Sequence, residues 1–386
     1  MNNKTLSKQP SWRSEIDTIV EAYSLEEKTE IPSAHTLSIL QGSSLLRILD
    51  ETPPTGPGKL SDVVAVCREL GKIDASLGWL VGVANSGWSM KANFSLPESV
   101  CADMDKNALL SMVLGRPGTL KSTPKGEGWV LNGEWKYASG YPWSSYFFGL
   151  AMSDDDRVRV VVVPSDKLHI ITPWQSIGLI GTQSVTIRAH DVHIPRKHTT
   201  DYQPILSGTS LRHREKPSYS GYFTGVLMNC LIGTILGATE SAMNYVIENI
   251  QQPITGSTYV SMEHSGPVRY ELGRLSSAFD LLLRAAEYNA NVIDDAAYNG
   301  MVLLTNRQRV EIRARATQIM RGCTETIQSL LWLYGSSGLD KGCPLEKFWR
   351  DVNVGSRHGG FAKFIPEELA GITLLDGDPA SLSRMF

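Results

Sequence analysis

The hydrophobic period of this 386-residue chain changes twice, and that change limits the possible folds more than any single motif. Apolar residues recur at helical spacing over roughly the first hundred residues, alternate in short β-rich runs from about Ala108 to Tyr202, and return to helical spacing from Tyr222 onward. An α+β, mainly α, subunit is expected, with an N-terminal helical domain over residues 1–107, a central β-barrel or sandwich over 108–206 and a C-terminal helical bundle over 207–386.

In the first block, helices are expected over Ser14 to Tyr23, Ala34 to Leu49 and Ser61 to Leu70, the last opened by Ser61 as N-cap. Thr52-Pro-Pro-Thr-Gly-Pro-Gly58 breaks the pattern. Asp74 to Met90 carries no charge after Asp74, so that helix is buried on most sides and Asn85 and Ser86 need internal partners. In the last block, long helices are expected at Tyr222 to Ile250, Gly266 to Tyr298 and Leu304 to Tyr334, with a shorter one from Leu345 to Gly355.

The central block contains a hairpin signal, Gly126 to Gly140. Asn132-Gly133 is expected to be the turn, because both central residues of a type I′ turn need positive φ. The flanks Trp129-Val-Leu131 and Glu134-Trp-Lys-Tyr137 alternate as strands do. The second strand should then place Trp135 and Tyr137 on one face, with Ser139-Gly140 at its end. Further strands are expected at Leu109 to Leu114, Tyr146 to Met152, Arg157 to Val163 and Val185 to Ile194.

A formal net charge of -3 and the lack of a basic stretch beyond Arg212-His-Arg-Glu-Lys216 argue against nucleic acid as a partner. Five widely spaced cysteines without a Cys-x-x-Cys pair suggest neither a disulfide framework nor zinc, and fit a reducing cytoplasm. The first residues show no apolar signal region. Gly221 to Ala238 is free of charge for eighteen residues, but its Asn229, Gly225, Gly233 and Gly237 favour a buried bundle helix over a membrane span.

Neither a Gly-x-Gly-x-x-Gly turn nor a P-loop is present. His190 and His193 alternate on a strand, which suits a surface role better than a metal. Phe348 to His358 carries Arg350, Asp351, Arg357 and His358, an unusual polar stripe for a core helix. It reads either as a solvated helix end or as a site in which His358 handles a proton.

Four segments in order, Gly71 to Trp79, Gly126 to Gly140, Trp174 to Ser184 and Trp349 to Val352, resemble the acyl-CoA dehydrogenase fold. The ending Leu374 to Pro379 and the position of His358 resemble its oxygenase branch. That branch comprises two-component flavin-dependent monooxygenases, both aromatic hydroxylase-like and nitrososynthase-like. The resemblance implies a C-terminal four-helix bundle and a homotetramer with reduced FMN or FAD between the β domain and the bundle. A separate NAD(P)H:flavin reductase would supply that flavin.

By the same resemblance, Tyr137 and Ser139 line the flavin ring, Trp174 and Ser184 lie beside it, and Arg269 reaches the flavin phosphate. His358 stands near the flavin C4a atom, where O2 would form a C4a-hydroperoxide that oxygenates a small substrate. Asn85 occupies a place where many branch members carry histidine; nitrososynthase-like members carry Asn there, which tilts the expected substrate towards an amine. An acyl-CoA dehydrogenase proper would need a carboxylate base, and Glu367 and Glu368 follow a proline in what reads as a peripheral segment. A flavin-free helical scaffold is the third reading.

Overall fold

The computed structural model describes residues 12–26, 29–53, 57–124, 126–210, 217–299 and 302–386. The expected Pro-Gly break and the Arg212 to Lys216 cluster lie partly or wholly outside those residues, as does the start of the chain. Helices α1 (Arg13–Ser24), α2 (Ala34–Gly42), α3 (Leu60–Gly71), α4 (Ala75–Lys91) and α5 (Glu98–Lys106) come first. Strands β1 (Leu110–Ser122), β2 (Gly128–Ala138), β3 (Tyr146–Ser153), β4 (Val158–Pro164), β5 (His169–Thr172), β6 (Val185–Pro195) and β7 (Thr199–Asp201) follow. Then come α6 (Tyr202–Ser207), α7 (Phe223–Glu248), α8 (Gly266–Tyr298), α9 (Asn306–Tyr334), α10 (Pro344–Gly355) and α11 (Ile365–Leu374).

The strands form one mixed sheet in the order β5-β6-β2-β1-β3-β4-β7. Trp129, Leu131 and Trp135 share a core cluster with Phe147, Val161 and Ile187, so strands from both halves of the sheet bury side chains on one another. β5 and β7, only four and three residues long, were not legible as strands.

Asn132-Gly133 is not the hairpin turn. It lies inside β2, where Asn132 pairs with Thr119 and Gly133 with Ala189; the chain reverses instead after Thr123, which accepts from Gly126 N–H at 2.8 Å. Pairing with β6 overrides the local turn preference. The positive φ falls on Asp191 (49°), whose N–H donates to Asn132 Oδ1 at 2.9 Å. Gly133 is needed for closeness: a Cβ there would collide with Gly118 on β1 and with the Trp135 ring.

Two helix expectations also change. The Ala34 to Leu49 segment is α2 followed by a separate 3₁₀ turn, Ser44–Arg47. Ser61 does not cap α3; the Asp294 carboxylate of α8 caps it from outside, accepting from Leu60 N at 2.8 Å and Ser61 N at 3.1 Å.

α7 forms the centre of the molecule. It is long and apolar enough to cross a membrane, yet 94% of its apolar window is buried inside the fold. Glycines let the helices approach: a Cβ at Gly82 of α4 would strike the Cys230 carbonyl, and one at Gly237 would strike that of Arg68. α4 is buried almost throughout, so its polar groups need internal partners as expected.

Candidate flavin site

Ser139, Gly140 and the segment from Trp174 to Ser184 are drawn together at the junction of sheet and helices. Gly140, in left-handed geometry, donates its N–H to the Thr182 carbonyl at 2.8 Å. Leu179 and Gln183 are also left-handed, at φ 50° and 44°, although neither is glycine. Backbone held in such sparsely populated regions costs about 1–3 kcal/mol per residue and persists where surrounding structure demands it.

A continuous chain of hydrogen bonds runs through this junction. Trp79 Nε1 of α4 donates to Ser139 Oγ at 3.3 Å, Ser139 Oγ lies 2.7 Å from Ser184 Oγ, and Ser184 Oγ lies 2.7 Å from Thr182 Oγ1. Thr182 Oγ1 then donates to the Leu179 carbonyl at 2.7 Å, which also accepts from Trp174 Nε1 at 3.0 Å.

Tyr137 departs from the expected face. Trp135 is 1% exposed, but a bulge between Trp135 and Ala138, with Tyr137 at φ 69°, turns the Tyr137 ring out to 67% exposure. There it meets Trp174 edge to face, ring centroids 5.9 Å apart. A large aromatic held outward in a conformation that L-residues avoid, next to buried hydroxyls, suits a planar ring with a polar edge.

His358 closes the other end. Its centroid is 5.8 Å from that of Trp79 and 5.9 Å from that of Phe361. Part of the side chain keeps exposed surface, yet the ring is closely enclosed, and that loss of water pushes its pKa down to about 4. Gly360 N–H donates to His358 Nδ1 at 3.2 Å, so the neutral ring carries its proton on Nε2. The solvated helix end is therefore not what the structure shows for His358.

An ionic cluster ties the Trp174 to Ser184 segment to α10. Lys347 Nζ lies 3.0 Å from Asp74 Oδ2 and 2.8 Å from Asp351 Oδ2, and Asp351 Oδ1 accepts from Leu179 N at 2.6 Å. Burial disfavours the Lys347 charge, but Asp74 and Asp351 outweigh it and hold its pKa above the usual value. The two carboxylates diverge. Burial pushes Asp74 up but is overcome by Lys347, Tyr23 OH and Ser76 N–H, whereas burial prevails at Asp351 and raises it. Arg350 binds Glu30, Glu346 and the Ile177 carbonyl.

Tyr137, Ser139, Trp174 and Ser184 thus come together, with His358 joined through Trp79. Two expected site residues do not join them. The Asn85 amide is spent on backbone: its Oδ1 accepts from Leu49 N at 3.0 Å, and Nδ2 donates to Leu45 O at 2.8 Å and Val81 O at 2.9 Å. Both its donors are used, so it fixes the Ser44–Arg47 turn against α4 and has no proton left to orient a substrate. Arg269 is exposed in the first turn of α8 and donates to the Glu263 carbonyl at 2.6 Å, making no hydrogen bond to the Ser139 group.

Trp79 and Thr182, which complete the hydrogen-bond chain of the candidate site, were not among the expected residues, although both sit in segments that carried the resemblance. An indole early in a buried, largely uncharged helix and a threonine between glycine and two polar residues have no distinctive spacing. Glu367 pairs with Arg321 at 2.9 Å on α11, outside this group, and no cluster able to hold a metal occurs among the described residues. Two hollows, about 170 Å³ between α9 and α11 and about 520 Å³ beside Trp129, are also lined by other residues.

Residues 230–363 match the family described as acyl-CoA dehydrogenase, C-terminal domain. The oxygenase component of an FADH(2)-dependent resorcinol hydroxylase from Rhizobium sp. is 24% identical over 352 residues, 86% of this chain and 85% of that protein. Indole-3-acetate monooxygenase from Acinetobacter baumannii is 27% identical over 305 residues, 75% of this chain and 73% of its own length. XiaF from Streptomyces sp., solved with FADH2 and glycerol, superposes with a TM-score of 0.85 at 22% identity, covering 95% of this chain and 94% of that one. The chain has the acyl-CoA dehydrogenase fold and is similar over most of its length to proteins described as oxygenase components of flavin-dependent monooxygenases.

Proposed function

We propose that this protein is the oxygenase component of a two-component monooxygenase. It takes reduced flavin from a separate NAD(P)H:flavin reductase and uses O2 to hydroxylate a small aromatic substrate. The observation that carries the reading is the polar chain from Trp79 to Leu179, flanked by the Tyr137–Trp174 pair at one end and His358 at the other. FADH2 is the favoured form, because both a relative and a structural neighbour name it; FMNH2 has the same ring chemistry.

When bound, reduced flavin supplies the electrons and the carbon centre at which O2 is activated. The residues do the rest. Tyr137 and Trp174 would wall the planar ring, while Ser139 and Ser184 hold its polar edge. His358, neutral well below pH 7, acts as an Nε2–H hydrogen-bond donor; its Nδ1 is occupied by Gly360. Trp79, Phe361 and His358 crowd that end against water, which a reactive oxygen adduct requires.

Asn85 gives no support to an amine substrate, since its amide serves the backbone. The relatives that act on resorcinol and indole-3-acetate favour an aromatic ring. Arg269 would meet flavin phosphate only from a neighbouring copy, and exposed Tyr270, Leu281 and Trp332 on α8 and α9 give a homotetramer apolar surface to bury. Five free cysteines suit the cytoplasm.

The test is to mix anaerobic protein and chemically reduced FAD with oxygenated buffer containing a phenol or an indole. Hydroxylated product formed without reductase present is expected. No product from either class, together with bleaching of oxidised flavin by an acyl-CoA, would overturn the reading in favour of a dehydrogenase.

A further inference from the structure

We propose that Thr182 sets the direction of the hydroxyl chain and thereby makes the site discriminate reduced from oxidised flavin. The inference rests on the flavin reading above. The two ends of the chain admit one polarity. Trp79 Nε1–H can only donate, and the Leu179 carbonyl can only accept. Between them Ser139 must donate to Ser184, and Ser184 to Thr182. All three hydroxyl hydrogens are therefore committed.

Ser139 and Ser184 then face a ligand with lone pairs alone. At N5 the oxidised isoalloxazine presents an acceptor and the reduced ring an N–H, while N3–H and the two carbonyls are common to both. An acceptor brought against either serine meets a lone pair unless a bond of the chain is broken. An N–H is accepted at no such cost.

Thr182 is the residue on which this depends, and it can be changed with little disturbance. Its side chain is fully buried and close in shape to valine. The Leu179 carbonyl would keep two donors, Trp174 Nε1 at 3.0 Å and Thr182 N at 3.1 Å. Ser184, however, would lose its acceptor, and its hydrogen would be free to turn towards a ligand.

Anaerobic fluorescence titration with FAD, and with dithionite-reduced FAD followed by ring absorbance, gives the ratio of the two dissociation constants. Thr182→Val should lower the oxidised-to-reduced ratio about tenfold, the weight of about one hydrogen bond. Most of that change should come from tighter binding of oxidised FAD. Thr182→Ser should keep the wild-type ratio. Trp79→Phe leaves the carbonyl end in place, so it should weaken both forms together. A Thr182→Val ratio within about twofold of wild type, or an equal fall in Thr182→Ser, overturns the proposal. If Thr182→Val does not fold, Ser184→Ala frees the Ser139 hydrogen, and an unchanged ratio there overturns it equally. Wild-type protein that binds neither form sinks the flavin reading itself; wild type that binds both forms equally sinks only this inference.

Discussion

Two buried polar networks hold the Trp174 to Ser184 segment, and they are built differently. On the sheet side the holders are neutral: Ser139, Ser184 and Thr182 pass hydrogens from Trp79 to the Leu179 carbonyl. On the α10 side they are ionic: Asp74, Lys347 and Asp351 grip the Leu179 N–H. Both networks end on the same left-handed residue. A neutral chain can reorder its hydrogens when a ligand arrives, whereas a buried charge left without its partner is heavily penalised. Under the proposed function, the difference has the ionic cluster holding the backbone and the hydroxyl chain meeting the ligand.

Breaking the ionic network should have the largest effect. Lys347→Met would leave the carboxylates of Asp74 and Asp351, 0% and 2% exposed, facing each other without a counter-charge. A loss of about 3–5 kcal/mol in folding stability is expected, measured as a lower urea midpoint. A loss below about 1 kcal/mol would mean that the cluster does not hold the segment, and the comparison would fail.

His358 tests where charge is tolerated at the neutral end. Its folded pKa is near 4 against an ordinary 6.5, so between these values the unfolded chain binds a proton that the folded ring refuses. Stability must then fall as pH drops from about 6.5 towards 4, by at most about 3 kcal/mol. Asp74, held below the ordinary 3.8, keeps its contribution over that range and gives it up only at lower pH, while Asp351, held high, shifts the balance the opposite way as pH falls. Only the difference between wild type and His358→Gln isolates the histidine. Urea midpoints at pH 7.5, 5.5 and 4.5 should converge for the two proteins as pH falls; parallel curves would show that water reaches the ring.

Asn85 sharpens the boundary of the site. Asn85→Ala strands the Leu49 N–H and the Leu45 carbonyl in a buried setting and should cost about 2 kcal/mol of stability. Flavin affinity should barely move. A selective loss of flavin affinity with normal unfolding would bring Asn85 back into the site.

Legibility followed physical range. The four bundle helices α7 to α10 were readable to within a few residues, because a long amphipathic or wholly buried helix repeats its signal over many turns. Short β5 and β7 repeat nothing and depend on their neighbours. Asn132-Gly133 has the local chemistry of a turn, but its pairing with Thr119 and Ala189 involves residues 13 and 56 positions away. In the site, Ser139, Ser184, Tyr137, Trp174 and His358 were reachable through resemblance, whereas their links were not. Trp79 reaches Ser139 over sixty residues, and Lys347 reaches Asp74 over far more of the chain. Charge pairing across such distances leaves no pattern in a single sequence.

The smallest predicted effect bears most directly on the neutral chain. Ser139→Ala removes one hydroxyl from its centre, so Trp79 Nε1 loses its acceptor and Ser184 loses a donor, while Thr182 and Leu179 remain joined. The residue is 7% exposed and the change leaves only a small void, so folding should be little affected. Affinity for reduced flavin should fall by about 1 kcal/mol, roughly fivefold, in an anaerobic titration. If affinity holds but peroxide release per product rises, Ser139 guards the oxygen adduct more than it anchors the ring. If neither changes, the hydroxyl chain is a structural brace like the ionic cluster, and the distinction between the two networks disappears.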